Sequence, residues 1–364
     1  MKLCFILNHL YKSGGIERVI SNRLSELSKE HDVYVLTTEN GRLPFYFGKD
    51  DKIKYIDINI KFKRKKYDGF EVNFYNIFSS IILFVKLQIE IFKINPDVTI
   101  NVIGVHTLYF VPFLFGKGKT VLEHHASIYQ YPPSKIRMGI MKKFMYHVFL
   151  TNEEAELADF LKNKIVIPNP IIIGHQELIP FCLRKNKILA VGRIVEIKGF
   201  DRLLLAWSLI HKKHPHWSVE IYGDGDGDGD VLDNLKSLSS QLNLLDTVFI
   251  KPATPNIIDR MLESKIYTMT SYYESFGMVL LEAMSAGMLV VAFDCPTGPR
   301  NIIDDQVGFL VENNNIELLS EKISEIILGE DDFLAKSENA YNKSLNYDVI
   351  NINKKWNNFF LSIR

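Results

Sequence analysis

No stretch of this sequence is apolar for long enough to cross a bilayer. The most apolar run, Ile81 to Ile94, is broken by Lys86, Gln88, Glu90 and Lys93, well short of the roughly 20 apolar residues a spanning helix needs. The apolar start, Leu3 to Leu7, is too short for a signal peptide, and no small-residue cleavage site follows it. A soluble protein, or one peripheral to a membrane, is the expectation. Cysteine is scarce as well: Cys4, Cys182 and Cys295 are scattered and stand at no metal-ligand spacing. That argues against a disulfide framework and points to reduced thiols in the cytoplasm, each expected as buried filler. Neither sign of charge is in excess, with 43 Lys plus Arg against 43 Asp plus Glu. The basic surplus usual in a nucleic-acid binder is missing, so no nucleic-acid partner is expected.

What is present is globular composition, 47% hydrophobic and 24% charged, in a chain of 364 residues. That length exceeds one typical core and suits two domains. Leu3 to Leu7 reads as a strand and Ser13-Gly14-Gly15 as a turn. Ile16, Val19, Ile20, Leu24 and Leu27 then recur at helical spacing before a strand at Val33 to Thr37. Residues 45–75 resist assignment. A helix around 76–94 leads to a strand at Val98 to Ile103, and a strand at Thr120 to Leu122 ends in Glu123-His124-His125. Ile165 to Pro170 reads as a strand stopped by two prolines, as an interdomain linker would be.

After residue 185 strands and helices alternate clearly. Strands are predicted at 188–191, 219–222, 248–250, 266–270 and 289–293, with helices at 201–210, 231–242, 257–263 and 277–286 between them. Such alternation implies a parallel sheet covered on both faces, with ligands at the carboxyl ends of its strands. Trp356, Phe359, Phe360 and Ile363 mark a last helix with one apolar face.

Those carboxyl ends collect the residues with chemistry. Gly192-Arg193 ends one strand, Lys198-Gly199 follows five positions later, and Asp201 is a plausible N-cap for the next helix. Two cations beside a helix N-terminus suit an anion, and a diphosphate is the natural guest. Taken alone, an Arg and a Lys on a solvated loop is an equal reading. Further on stands Glu274-Ser275-Phe276-Gly277, with Glu282 eight residues after Glu274. Glycine at 277 lets a ligand approach the amides at a helix start, while the two carboxylates can accept hydrogen bonds from sugar hydroxyls. A surface glutamate and a helix-face glutamate would be the bland alternative; it accounts poorly for Glu282 among Val279, Leu280, Leu281 and Met284.

In order along the chain come Gly14-Gly15-x-Glu17-Arg18, Gly192-Arg193 with Lys198-Gly199, Gly223-Asp224-Gly225, and Glu274 with Glu282. Together they resemble glycosyltransferase family 4, retaining enzymes of the GT-B fold. The resemblance implies an α/β architecture of two Rossmann-like domains with a cleft between them and a C-terminal helix docking back on the first domain. Residues 1–170, with the helix at 346–364, would form the acceptor side, and residues 171–345 the nucleotide-sugar side. It also implies roles. Arg193 and Lys198 would hold the diphosphate and stabilise the leaving group. Glu282 would bind the ribose and Glu274 the donor sugar. Amides at Phe276, Gly277 and Met278 would add to the phosphate cradle, Gly14 and Gly15 would face the same diphosphate, and His124 would lie over the sugar. For His124 a structural role is a serious alternative, and His125 beside it leaves the choice open.

The implied activity is transfer of a hexose or N-acetylhexosamine from a UDP-sugar to a glycan or lipid-linked acceptor in bacterial surface polysaccharide synthesis. It would proceed with retention and without a metal or other cofactor. Asp294-Cys295-Pro296-Thr297-Gly298-Pro299-Arg300 resembles a loop of family members that use UDP-sugars, whereas Lys251-Pro252 departs from the glycine common near that strand end. Asp224 to Asp230 alternates Asp with Gly, but Leu235 stands where a calcium loop needs Glu. A flexible acidic turn is the plainer reading. Lys61 to Lys66 is usually a solvated run, yet with the basic and apolar stretch Met138 to Tyr146 it suits an anionic membrane surface. A place in the cytoplasm, peripheral at the inner face of the cytoplasmic membrane, follows. Two other readings stay open: an epimerase or hydrolase of nucleotide sugars, and a non-catalytic binding scaffold.

Overall fold

The structure, a computed structural model, describes residues 1–12, 14–63, 74–103, 105–128, 132–174, 177–225 and 230–364. It divides into two compact units, Met1–Pro170 with Val349–Arg364, and Ile171–Asp348.

In the first unit the order is β1 (Lys2–Leu7), α1 (Gly15–Leu27), β2 (Asp32–Thr37), β3 (Lys54–Asp57), α2 (Phe74–Ile94), β4 (Val98–Ile103), α3 (Val105–Phe110), β5 (Lys119–His124), α4 (Lys135–Met141), β6 (Tyr146–Phe149), α5 (Asn152–Leu157) and β7 (Lys164–Val166). The strands pair in parallel as β3-β2-β1-β4-β5-β6-β7. Leu3 to Ile6 are fully buried, as a central parallel strand covered on both faces requires. Alternation along it divides the core. Leu3, Phe5 and Leu7 join Ile20 and Leu24 of α1, while Cys4 and Ile6 join Leu83, Leu87 and Ile91 of α2. The four-residue strand β3 lies in the stretch that resisted assignment, because Lys54–Asp57 at a sheet edge has no buried residue to reveal it.

The second unit runs β8 (Lys185–Val191), α6 (Phe200–Ile210), β9 (Ser218–Tyr222), α7 (Asp230–Gln241), β10 (Val248–Lys251), α8 (Ile257–Leu262), β11 (Ser264–Met269), α9 (Met278–Ser285), β12 (Leu289–Phe293), α10 (Pro299–Ile302), β13 (Phe309–Val311), α11 (Ile316–Leu328) and α12 (Leu334–Ser344). Its sheet order is β10-β9-β8-β11-β12-β13. The chain winds outward in one direction from β8 and in the other from β11. These two strands pair side by side, with Ile188 opposite Ile266 and Leu189 opposite Tyr267. Their carboxyl ends form the crevice where open α/β sheets bind ligands.

The last helix, α13 (Val349–Ser362), belongs to the first unit. Ile352, Trp356, Phe359, Phe360 and Ile363 sink into its core, each worth about 1.5–3 kcal/mol if fully buried. Of the cysteines, Cys4 and Cys295 are buried, but Cys182 is exposed, which corrects the expectation for that residue. It lies in a short helical turn, Phe181–Leu183, that has no buried residue.

Candidate active site

The crevice of the second unit is built by three loops. The first leaves β8 through Gly192 and Arg193, makes a tight turn at Glu196–Lys198, and enters α6 through Gly199. Gly199 has φ near +60°, and a Cβ there would lie 2.1 Å from the Thr270 carbonyl oxygen. Glycine is therefore required on both counts. It is also the N-cap of α6, which corrects the assignment of Asp201. The Asp201 carboxylate instead accepts a hydrogen bond from the Tyr272 hydroxyl at 3.0 Å.

The second loop leaves β11 and carries Glu274. The Lys198 ammonium donates to the Glu274 carboxylate at 2.6 Å, with the two side chains 22% and 16% exposed. The Ser271 hydroxyl donates to the same oxygen at 3.4 Å. Lys198 has three donors in all, so this pair fixes its direction and leaves it donors for a ligand. Arg193 is exposed. Gly277, with φ near +98°, caps α9. The first amides of any helix lack intrahelical partners, and at α9 they include those of Gly277 and Met278, with Phe276 just before the cap. Glu282, in the second turn of α9, is buried.

The third loop follows β12 and clamps the second. The Glu274 amide donates to the Pro296 carbonyl at 2.9 Å, while the amides of Thr297 and Gly298 donate to the Glu274 carbonyl at 2.9 and 2.6 Å. A Cβ on Gly298 would come within 2.6 Å of the Phe276 carbonyl oxygen, so the loops meet backbone to backbone. Buried charge is concentrated here. Burial, then the charges of Glu274 and Glu282, raise the Tyr267 phenol well above its ordinary value. Burial, then Glu274, pushes the Cys295 thiol up to about 12.

One positioning group escaped the sequence reading. Buried Arg202 donates to the Thr270 carbonyl at 3.2 Å and to Asn313 Oδ1 at 2.7 Å. Its guanidinium lies 3.9 Å from the Phe293 ring centroid and 4.4 Å from that of Tyr272. It anchors the turn after β11 yet resembles any other helix arginine. Lys251, which stands where the family commonly has glycine, pairs with Glu220 at 2.9 Å and donates to the Tyr222 hydroxyl at 3.4 Å.

The remaining predicted residues belong to the first unit. Gly14 caps α1, Gly15 begins it, and Ser13 lies outside the described residues. A Cβ on Gly14 would fall 2.1 Å from a Glu17 carboxylate oxygen. Burial pushes the Glu17 carboxyl up, but His9, 3.2 Å away, outweighs it and holds the acid below its ordinary value. His124 ends β5, stacks on Phe149 at 4.2 Å, and shares a 3.2 Å hydrogen bond between its Nε2 and His147 Nδ1. Burial, then His147, lowers its pKa well below the ordinary histidine value. It is a neutral ring at pH 7.

Its neighbours form a separate buried network. Arg23 grips Glu123 with two hydrogen bonds of 2.9 and 2.7 Å, and His125 reaches the same carboxylate at 3.0 Å. The guanidinium of Arg23 sits 4.4 Å from the Trp356 ring centroid. Among the described residues no group of three or more His, Cys, Asp or Glu could hold a metal. Asp226 and Asp228 of the acidic turn lie outside them.

Comparison with known proteins gives this geometry its setting. Residues 179–343, nearly all of the second unit, match the family described as Glycosyl transferases group 1. The chain is 28% identical to the amylovoran biosynthesis glycosyltransferase AmsD of Erwinia amylovora, over 98% of each protein. The chain is a glycosyltransferase, similar to this family. The transferase has the GT-B fold. It superposes on Anabaena HepE in complex with UDP with a TM-score of 0.82, at 17% identity and over 100% of both chains. It superposes on the lipopolysaccharide outer core galactosyltransferase WaaB at 0.74, with 20% identity, over 100% of this chain and 99% of that one.

Proposed function

We propose that this transferase moves a hexose or N-acetylhexosamine from a UDP-sugar to a glycan or lipid-linked acceptor of bacterial surface polysaccharide, with retention of configuration. The observation that carries the reading is the convergence of the Lys198–Glu274 pair, Arg193 and the start of α9 at the β8/β11 crevice, with Glu282 buried one turn further on. Relatives named for amylovoran and lipopolysaccharide synthesis support the polysaccharide setting, and the UDP complex of HepE supports the nucleotide.

In this reading Lys198, Arg193 and the α9 amides meet the charge that develops on the departing diphosphate, without a metal ion. Glu282 accepts from the ribose hydroxyls and Glu274 from the sugar. The acceptor oxygen bonds to the anomeric carbon on the face that UDP leaves. The bond from that carbon to the diphosphate oxygen breaks, and a phosphate oxygen takes the hydroxyl proton. The protein works in the cytoplasm, peripheral to the inner face of an anionic membrane. Met138 to Tyr146 contributes cations there; of the run at 61–66, Arg64 to Lys66 lie outside the described residues.

Calorimetric titration with UDP and GDP, with and without EDTA, tests the donor site. Micromolar UDP binding that survives EDTA and weakens in Glu282→Ala is the expected result. Binding that vanishes with EDTA would overturn the metal-free step, and wild-type affinity in the variant would remove Glu282 from the site.

A further inference from the structure

Helix α2 is apolar on two opposite faces. One carries Leu83, Leu87, Ile91 and Ile94 and is buried in the core. The other carries Phe78, Ile81, Val85, Ile89 and Phe92, spaced three, four, four and three residues apart, and is open to solvent, with Ile81 57% and Phe92 72% exposed. A helix apolar all round is ordinarily buried all round. This one is 21 residues long, and its open stripe, from Phe78 to Phe92, runs for about 20 Å. Phe115, 74% exposed, extends it. The Gln88 side chain holds the Phe115 backbone through two hydrogen bonds of 3.0 and 2.9 Å. A contiguous apolar surface of this extent marks an interaction site.

Charge selects the partner. The chain as a whole is neutral, but residues 74–94, 111–119 and 135–143 contain eight Lys and Arg and a single acid, Glu90. These segments share one side of the unit. Phe84 of α2 meets Phe110 of α3 edge-on at 5.7 Å, α3 packs on α4, and Lys143 lies 5.9 Å from the Phe113 ring centroid. A two-fold dimer through this face would set cations against cations. Apolar side chains in a stripe with cations around them match a bilayer interface carrying anionic headgroups. Among the described residues no helix is long and apolar enough to cross a membrane, so the match is to lying on the surface.

We propose that the open face of α2, with Phe115 beside it, is the surface by which the first unit docks on an anionic lipid bilayer. It rests on the lipid-linked acceptor reading for its purpose, which is to bring the acceptor domain to its substrate. Flotation of the full chain with phosphatidylglycerol and phosphatidylcholine vesicles tests it. Wild type is expected to float with the anionic vesicles, less so at high salt and least with phosphatidylcholine. Ile81→Glu/Ile89→Glu/Phe92→Glu changes only exposed positions and is expected to cut vesicle partitioning at least tenfold. Should that variant melt early, Lys142→Gln/Lys143→Gln is expected to weaken anionic binding severalfold. Wild type that does not float at low salt, or variants that float like wild type, would overturn the proposal. So would a dimer that the triple variant abolishes while no vesicle binds, which would give the face to a second copy. UDP titration of the same samples separates the two readings. Lost flotation with intact UDP binding bears on the surface, and lost UDP binding with intact flotation bears on the donor site.

Discussion

Replacing Arg23 by Met tests the energetics of the first unit at their most exposed point. Arg23 and Glu123 are each 2% exposed and joined by two hydrogen bonds. Two unit charges about 4 Å apart attract by about 4 kcal/mol at an effective dielectric of about 20. Removing one partner also strands the other charge, and breaking a buried pair in this way costs about 3–5 kcal/mol. His125, at 3.0 Å, softens the loss, so the lower end of that range is expected. Hydrogen exchange read by mass spectrometry reports it locally: protection of β5 and α1 amides should fall by about a hundredfold or more, since each 1.4 kcal/mol is about tenfold. Amides of β8 and β11 should not change. The pH dependence gives a second check. Burial would raise the Glu123 carboxyl, but Arg23 and His125 reverse this and hold it below its ordinary value. A depressed folded pKa contributes stability that is complete above the unfolded pKa and drains away as pH falls through the folded one. In the variant Glu123 protonates readily, so its deficit against wild type should shrink as the solution is acidified. A deficit under about 1 kcal/mol at pH 7, or one that grows on acidification, would refute the reasoning. The double variant Arg23→Met/Glu123→Leu should recover most of the loss, because no charge is left stranded.

Lys198→Ala should lower turnover by about a hundred- to a thousandfold, the usual cost of one preorganised group facing developing charge. Its melting temperature should stay within a few degrees of wild type, because the side chain is partly exposed; near-normal turnover in a UDP-sugar transfer assay would sink the anion-site assignment. Titration with an aromatic disulfide reagent at pH 8 should modify one thiol rapidly in the native protein, Cys182, and all three in denaturant. Burial raises the Cys4 and Cys295 thiols and hides them from the reagent, so fast reaction of a second native thiol would contradict the packing described.

Features that repeat locally were legible in the sequence. The glycine pair at the start of α1 marks its turn, the strand-helix alternation after residue 185 carries its own periodicity, and the apolar face at Trp356, Phe359 and Phe360 declares a helix that must be covered. What could not be read depends on partners distant in sequence. Nothing in Thr297-Gly298 reveals that these amides hold the Glu274 carbonyl, or that Arg202 reaches Asn313 across more than a hundred positions. Asp201 looked like a cap because Asp often caps, but the left-handed residue the turn demanded was Gly199 two positions earlier. His124 shows both sides. Its place at a strand end was legible, whereas its bond to His147 depends on the register of β5 with β6.

The return of α13 to the first unit has a consequence for the order of manufacture. Chains emerge from the ribosome N-terminus first, and domains generally fold as they appear. Here the core around Phe5 and Ile20 stays open until Trp356, Phe359 and Phe360 arrive, after every residue of the second unit has been made. A chain arrested before Val349 would carry a finished second unit and an unfinished first unit with bare apolar surface. Such a fragment invites proteolysis and chaperone binding, so α13 couples completion of the first unit to synthesis of the second.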